Sequence, residues 1–403
     1  MSCEDPYEDQ DVSVSEDPVI TLSETKATVR AGGNFAQNLI NAVNATPVGG
    51  TVYIPRGNHQ IFSPIVLPNK RVFIRGESRG TTTITLNGRS NGIFYVGANG
   101  TRIEDLGINA KNNLGFSNFA IDINGKQDVL VRRVNISNAV NGIGTANTPT
   151  GGKSMGGLSV VNCAFSNCTH GILFNRKFSA NPIRWMKRIL IDRCTFSGNQ
   201  TVGVIIDCGN DGSNGRGTGP GFCNPGGLRS GQFGRRAAEA QRVVTDMNGM
   251  LITGCTFGKA LDYNIGLAKC KNINIIGNTL RGTNNKRFSE SISLEHQASN
   301  ILISQNFISN GGNNGTSYIA LNSFSDYCTP RVKSNGTRFV TIRNNTFQGA
   351  ATDGIISQNA DSATIIDNNF LNPKPNRLDL NFYTGNTGIT HARNNISRIQ
   401  IRN

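Results

Sequence analysis

The stretch ITGCTF at residues 252–257 is one of seven copies of a short pattern, an apolar run followed by Cys or Asn and then by Phe or Leu. The other copies are VVNCAF (160–165), IDRCTF (191–196), IGNTLR (276–281), SQNFIS (304–309), RNNTFQ (343–348) and DNNFLN (367–372). Alignment on the Cys or Asn gives Cys163, Cys194, Cys255, Asn278, Asn306, Asn345 and Asn369. The shortest intervals are about 22 to 24 residues and the longer ones carry insertions, which is typical of a solenoid.

Each repeat contains three short strands and no helical periodicity, as in NILIS, NFIS and YIALNS. Such a unit cannot bury its apolar face alone, so the repeats are expected to stack as coils of a parallel β-helix. In that stack the same turn position recurs every ~4.8 Å, and its Cys and Asn side chains form a ladder inside the coil. The sequence therefore predicts an all-β fold of about 10–12 coils.

The N-terminal part of the chain predicts a cap for this solenoid. Within residues 32–61 an amphipathic helix places Phe35, Leu39, Ile40 and Val43 on one face, and a strand, GGTVYIPRG (49–57), follows. The helix and strand together resemble the start of right-handed parallel β-helix proteins of the pectate-lyase-like superfamily. The resemblance extends over residues 25 to about 395. It implies a right-handed β-helix with an N-terminal α-helical cap and a polysaccharide substrate, but no particular reaction.

Composition divides the chain into an acidic start and a basic body. Residues 1–18 contain seven acidic residues and no Lys or Arg, so the remainder has 40 basic and 19 acidic residues. We predict an acidic tether over residues 1–20 and one β-helix domain over 21–403 with insertions at 209–247 and 325–336. Cys3 near the acidic start resembles the lipid-attachment site of a bacterial surface lipoprotein, which predicts a secreted or outer-membrane-anchored protein.

The basic body favours a polyanionic partner, and an acidic polysaccharide is the partner predicted here. Nucleic acid is not predicted, because the basic residues are scattered singly rather than clustered with aromatic residues. No stretch of the sequence has the roughly 18 consecutive apolar residues of a membrane span. A monomer is expected.

The third strand of each coil is predicted to carry the functional site. Because strand side chains alternate between two faces, four pairs should face the core: Ile172/Phe174, Val204/Ile206, Ile292/Leu294 and Ile319/Leu321. The fifth position of each strand then faces outward. That position forms the column Asn175, Asp207, Lys269, Glu295, Asn322 and Gln358.

Residues beside this column are predicted to bind the substrate. Some follow the same strands, and others come from the two insertions, which would wall a groove. The predicted substrate-binding residues are Asn175, Arg176, Lys177, Lys271, Asn322, Gln358, Arg235, Arg236, Tyr327 and Arg331.

Three functions remain open from the sequence. A polysaccharide lyase, the first choice, would use Lys269 or His296 as base on a uronate such as that of alginate, with basic residues neutralising the carboxylate. An inverting glycoside hydrolase of an anionic or sulfated glycan would use Asp207 and Glu295, which lie about 9.6 Å apart at the backbone if they are two coils apart. A glycan-binding β-helix without catalysis is the third.

Asp207 and Glu295 are also candidate ligands of Ca²⁺, which prefers oxygen donors.

Overall fold

A computed structural model describes residues 26–145, 155–175, 186–198, 200–207, 245–268, 270–282, 290–295, 298–309, 317–322, 337–349, 353–358, 360–371, 378–383 and 386–401. Within these residues the chain coils repeatedly through three long parallel sheets. Sheet A has 13 strands, sheet B has 11 and sheet C has 12. A two-stranded pair lies beside them. This confirms the predicted parallel β-helix, and the strand numbers agree with the expected number of coils.

Each coil adds one strand to each sheet, in the order A, B, C. The strands of sheet A are β1 Lys26–Thr28, β2 Thr51–Ile54, β5 Phe73–Gly76, β8 Arg102–Glu104, β11 Leu130–Arg132, β15 Ser159–Val161, β19 Leu190–Asp192, β22 Thr245–Thr253, β25 Cys270–Ile276, β28 Ser299–Ser304, β31 Arg338–Arg343, β34 Asp361–Ile366 and β37 Thr390–Ala392. Those of sheet B are β3 Gly57–Ile61, β6 Thr82–Leu86, β9 Gly107–Asn109, β12 Asn135–Ser137, β16 Ala164–Ser166, β20 Thr195–Ser197, β23 Thr256–Phe257, β26 Thr279–Leu280, β29 Phe307–Ser309, β32 Thr346–Gln348 and β35 Asn369–Leu371.

The strands of sheet C are β4 Ile65–Val66, β7 Ser90–Tyr95, β10 Leu114–Asp122, β13 Asn141–Thr145, β17 His170–Asn175, β21 Gln200–Asp207, β24 Ala260–Ala268, β27 Glu290–Glu295, β30 Ser317–Asn322, β33 Asp353–Gln358, β36 Leu378–Phe382 and β38 Ile399–Ile401. The additional pair is β14 Met155–Gly156 with β18 Met186–Lys187. All of these pairings are parallel, as expected for successive coils of one solenoid.

Helix α1, Phe35–Ala45, is the predicted cap. The side chain of Asn34 accepts a hydrogen bond from the Gln37 N–H at 3.2 Å and so satisfies one of the free donors at the helix start. Phe35, Leu39 and Val43 are buried against the first coils, and Ile40 is partly buried against the same core. No helix among the described residues is long and apolar enough to span a membrane.

Stacked side chains of the same kind fill the interior. On sheet A a continuous column of Val and Ile joins one strand to the next, for example Ile252, Ile275 and Ile303. On sheet B the rings of Phe165, Phe196 and Phe257 stack at centroid distances of 4.9 and 4.5 Å. Stacking of like side chains removes apolar surface from water along the whole solenoid, which is the main term stabilising the fold.

The turn between sheets A and B contains the predicted ladder. The Oδ1 atoms of Asn278, Asn306 and Asn345 each accept a hydrogen bond from the backbone N–H of the preceding ladder residue, all at 2.9 Å. Their side-chain amides donate to the next Asn and to backbone carbonyl oxygens within the turn. The residue before each of these Asn has a positive φ, as in Gly277 and Asn344, which turns the chain into sheet B.

One ladder residue was predicted wrongly. Asn368, not Asn369, continues the ladder, because its Oδ1 accepts from both the backbone and the side-chain amide of Asn345 at 3.0 Å. Asn394 then extends it by one further coil. Asn369 is exposed. The physical reason is that the ladder residue and the core Phe two residues later must face the same way, and Asn368 is two residues before Phe370.

The acidic segment 1–20 lies outside the described residues, as do residues 209–244 of the first insertion and all of the second insertion, 325–336. The described part of the first insertion ends in strand β22, which begins at Thr245.

Candidate functional site on sheet C

The outer face of sheet C is a surface distinct from the core. In β17 and β21, Ile172, Phe174, Val204 and Ile206 belong to the main core, as predicted. Leu173 and Ile205 lie between them and instead form a second apolar cluster with Phe119, Val202 and Tyr263. Because side chains alternate along a strand, this second cluster lies on the outer face of the sheet.

Five of the six residues in the predicted column stack as expected. The backbone of Asn175 pairs with Asp207 across β17 and β21, and Glu295 pairs with Asn322 across β27 and β30. Asn322 pairs in turn with Gln358. Asp207 and Glu295 are two strands apart, which corresponds to a Cα separation of about 9.6 Å.

The position assigned to Lys269 was wrong. Ala268 pairs with Asp207 on one side and with Glu295 on the other, so it occupies the place between the two acidic residues. The predicted alignment of this coil was shifted by one residue. The cause is that the residue of β24 in register with Gly171 and Gly203 is Asn264, so no glycine marks the start of this segment.

The remaining predicted site residues are only partly placed by the structure. Lys271 lies in β25 of sheet A, where it pairs with Asp246 and Ser299. Lys269, Arg176, Lys177, His296, Arg235, Arg236, Tyr327 and Arg331 lie outside the described residues. For Asn175, Asp207, Glu295, Asn322 and Gln358 the structure describes the backbone alone.

The strands of sheet C are acidic, although the chain has a net charge of +14. From β4 to β38 they contain no Lys or Arg. They contain seven acidic residues, Asp122, Asp207, Asp262, Glu290, Glu295, Asp353 and Asp379. The positive charge of the protein is therefore carried elsewhere, on sheet A, in turns and in the segments that follow sheet C strands.

A second polar column was missed by the sequence analysis. Glu290 pairs with Ser317, and Ser317 pairs with Asp353, at the start of β27, β30 and β33. Glu290 and Ser317 are buried, and the Ser317 Oγ has no hydrogen-bond partner among the described residues. Strand alternation would place Glu290 on the inward face, because it is two residues before the core residue Ile292, so the sequence pattern did not reveal this column.

Small side chains line the outer face where these acidic residues lie. Gly266, Ser293 and Ala320 pair with one another across β24, β27 and β30. On either side the corresponding position holds a larger residue, Ile205 in β21 and Ile356 in β33. The side chains at this position are therefore smaller on β24, β27 and β30 than on the neighbouring strands, and Ser293 and Ala320 are buried.

The N-terminal half of the same face holds two groups with shifted pKa values. Burial raises the pKa of Asp122 to about 6, although the hydrogen bond that its carboxylate accepts from the Asn124 N–H at 2.8 Å lowers this pKa. Burial also raises the pKa of Tyr95, and the charge of Asp122 on the neighbouring strand adds to this effect. A neutral Asp122 carboxyl is thus stabilised at mildly acidic pH.

His170 is held in one tautomer at the next part of this face. The Asn141 side-chain amide donates to the Asn118 carbonyl oxygen at 2.9 Å, so the Asn141 Oδ1 accepts from His170 Nδ1–H at 2.7 Å. Burial lowers the pKa of His170 to about 4. The imidazole is therefore neutral at neutral pH. His170 pairs with Val202, five residues before Asp207 on the same strand, so His170 and Asp207 are too far apart to act on the same glycosidic bond.

The described residues contain no group of three or more His, Cys, Asp or Glu side chains that could hold a metal ion. The predicted Ca²⁺ ligands Asp207 and Glu295 have side chains outside the described set. Their role as ligands stays a prediction.

Known structures resemble this chain in fold. The A-module of mannuronan C-5 epimerase AlgE6 from Azotobacter vinelandii has 14% identity and a TM-score of 0.53, with 89% of this chain and 96% of the module covered. The tailspike protein of E. coli bacteriophage HK620 has 13% identity and a TM-score of 0.55, with 89% of this chain and 64% of the tailspike covered. The catalytic domain of a GH87 α-1,3-glucanase has 14% identity and a TM-score of 0.50, with 93% and 65% covered.

The chain thus spans slightly less than two thirds of the tailspike and of the glucanase. No protein family profile and no curated protein sequence matches it. At these identities the likeness establishes the fold alone. The chain is a right-handed parallel β-helix.

Proposed function

We propose that the protein is an inverting glycoside hydrolase that binds a polysaccharide on the outer face of sheet C. The observation that carries this proposal is the charge of that sheet, whose strands hold no basic residue in a chain of net charge +14 and six acidic residues besides Asp379, which is fully buried and accepts from the Ser397 and Arg398 N–H groups. Hydrolysis of a glycosidic bond needs two carboxyl groups, one as acid and one as base. This reaction does not need a Lys or Arg side chain on the strands.

Asp207 and Glu295 are the proposed pair. They stand at equivalent positions two strands apart, and inverting enzymes hold their carboxyl groups roughly 6.5–9.5 Å apart to leave room for a water molecule. The residue between them is Ala268 rather than the predicted Lys269. Its methyl side chain takes up less of the space between the two acidic residues than a lysine side chain would. One residue would protonate the leaving oxygen while the other activates the water.

The structural neighbours support a carbohydrate substrate. One is named as an epimerase of mannuronan and another as an α-1,3-glucanase in complex with tetrasaccharides. The HK620 tailspike is described in complex with a pentasaccharide. This support is by analogy of fold, and the choice of reaction rests on the residues of sheet C.

A polysaccharide lyase remains the second candidate. It is favoured by the basic body of the chain and by Arg176, Lys177 and Lys269, which directly follow β17 and β24 in sequence. Such residues could neutralise a uronate carboxylate at the edge of sheet C, while Lys269 or His296 removed the adjacent proton. Four further predictions from the sequence remain proposals: an acidic polysaccharide as substrate, export of the protein, a lipid anchor at Cys3, and a Ca²⁺ ion bound by Asp207 and Glu295.

The two reactions are separated by their products. The protein is incubated with neutral, carboxylated and sulfated polysaccharides, and reducing ends and ultraviolet absorbance are both recorded. A hydrolase yields reducing ends without an absorbing product, whereas β-elimination yields an unsaturated sugar that absorbs. Binding to a glycan without either signal would favour the non-catalytic alternative.

Variants of the proposed pair test the assignment. Asp207→Asn and Glu295→Gln are each expected to lower kcat by about 10²–10⁴-fold, because general acid or base catalysis supplies an effect of that size. Glu77→Gln is the matched control, because it removes one exposed charge from a segment between sheets A and B. If both site variants keep at least half of the wild-type kcat, the assignment is wrong.

A further inference from the structure

The last strands of sheet C carry a compact polar array beyond the proposed catalytic pair. Asn381 lies between Leu380 and Phe382, which both belong to the core, so its side chain is on the outer face of β36. Asp353 opens the neighbouring strand β33, and Tyr383 follows β36 directly. Asp353 and Tyr383 are half-buried.

The Asn381 side chain joins the other two. Its Nδ2 donates to Asp353 Oδ2 at 3.3 Å and to the Tyr383 hydroxyl oxygen at 3.2 Å. Both amide protons are used, which turns Oδ1 away from these partners. The Asn381 side chain is buried, and Oδ1 accepts no hydrogen bond from the described residues.

A buried acceptor without a donor costs free energy, roughly 1–3 kcal/mol, unless a ligand or water supplies the missing bond. Around it lie a carboxylate, which accepts, and a phenol, which can both accept and donate. Half-buried Ile356, the strand partner of Asn381, adds apolar surface. Convergent polar groups beside an apolar patch are characteristic of small-ligand sites.

We propose that Asp353, Asn381 and Tyr383 form a binding subsite for an uncharged sugar ring. Sugar hydroxyl groups donate to Asn381 Oδ1 and to Asp353, and a ring oxygen or hydroxyl oxygen accepts from Tyr383. A carboxylate or sulfate group offers acceptors only and meets the Asp353 charge, so a charged sugar is excluded at this position.

This inference rests on the proposed function, since it assigns the subsite to the glycan that is cleaved. Tyr383 directly follows β36 and is in register with Gln358, which pairs with Asn322 and through it with Glu295. Tyr383 therefore lies three strands from Glu295, about 14 Å along the solenoid axis. One glycan chain that follows the solenoid axis can therefore reach both places. The polysaccharide is inferred to contain uncharged units even if other units are anionic.

The test is affinity electrophoresis of the full chain carrying both Asp207→Asn and Glu295→Gln, so that binding is measured without turnover. Separate gels contain a neutral α-glucan, a neutral β-glucan, a mannan, a galactan or a polyuronate. At least one neutral polymer is expected to retard the protein. Adding Tyr383→Phe should raise the Kd for that polymer by about 5–10-fold, the effect of one lost hydrogen bond.

Asp353→Asn should weaken binding to the same polymer and reduce the discrimination against the polyuronate. Tyr53→Phe on sheet A, which removes a phenol elsewhere, is the matched control. Retardation by the polyuronate alone, by no neutral polymer, or by a neutral polymer equally in Tyr383→Phe would overturn the inference. The proposed hydrolase can fail independently, because it is tested by turnover of the wild-type chain.

Discussion

At the scale of single residues, the ladder shows how one side-chain type fixes a turn. Each ladder Asn accepts from the coil before it, donates to the coil after it and bonds carbonyl oxygens of its own turn. Cys163, Cys194 and Cys255 occupy the same place in earlier coils, where the thiols donate to backbone carbonyl oxygens such as Val160 O. The hydrogen bond with the Cys194 thiol, together with burial, raises the pKa of Cys255, so it remains a thiol.

Asn368→Ala tests the corrected ladder directly. The change removes side-chain bonds to Ile342 O, Ile366 O and Asn394, and it leaves Asn345 donors without their acceptor. Several buried groups lose a hydrogen-bond partner, so the free energy of unfolding should fall by about 3–5 kcal/mol. The measurement is urea unfolding.

Asn369→Ala is the matched control, since Asn369 is exposed and its side chain bonds only Asn395 among the described residues. A loss below about 1 kcal/mol is expected there. Equal losses in the two variants would contradict the corrected position.

Asp122 makes a prediction for pH. Its folded pKa of about 6 lies above the usual 3.8, so its contribution to stability is present below about pH 4 and is lost as the pH rises through about 6. At pH 7 the buried carboxylate costs about 3 kcal/mol, the equivalent of this shift. Asp122→Asn, which keeps an acceptor for the Asn124 N–H, should therefore stabilise the protein at pH 7 but not at pH 4.

The check is urea unfolding of wild type and Asp122→Asn between pH 4 and pH 8. The difference between the two free energies of unfolding should grow with pH through about 6. A difference that stays constant over this range would contradict the raised pKa of Asp122.

At the scale of the element, strand alternation predicted the sheet but not every register. The core pairs of β17, β21, β27 and β30 were predicted correctly, because apolar residues at alternate positions identify the inward face. Gly171 and Gly203 mark the start of two of these strands, since a Cβ there would meet the rings of Phe196 and Phe257 within 2.8 Å. In β24 the equivalent place holds Asn264, so the same marker was absent and the alignment shifted to Lys269.

The second polar column was missed for a related reason. Ordinary alternation places residues two apart on one face, yet His170 and Ile172 lie on opposite faces of sheet C. The turn from sheet B into sheet C directs both residue 171 and residue 172 inward, which leaves residue 170 outside. Sequence periodicity alone could not show this local bend, so Glu290, Ser317 and Asp353 were not recognised as a column.

At the scale of the whole molecule, the charge is segregated between sheets. The composition correctly indicated a basic chain, but it could not show that the twelve described strands of sheet C lack Lys and Arg. The net charge of a sequence is a sum over the whole chain, so it does not show how the fold distributes basic and acidic residues among different surfaces. The lyase prediction gave weight to that average, whereas the sheet that holds the predicted column is acidic.

The central claim is that this acidic face hydrolyses a glycosidic bond with Asp207 and Glu295 as acid and base. Proton NMR during the first minutes of cleavage reads the configuration of each new reducing end before it equilibrates. The account predicts reducing ends of the configuration opposite to that of the cleaved bond and no vinyl proton. Vinyl proton signals from an unsaturated sugar, or retained configuration, would contradict it.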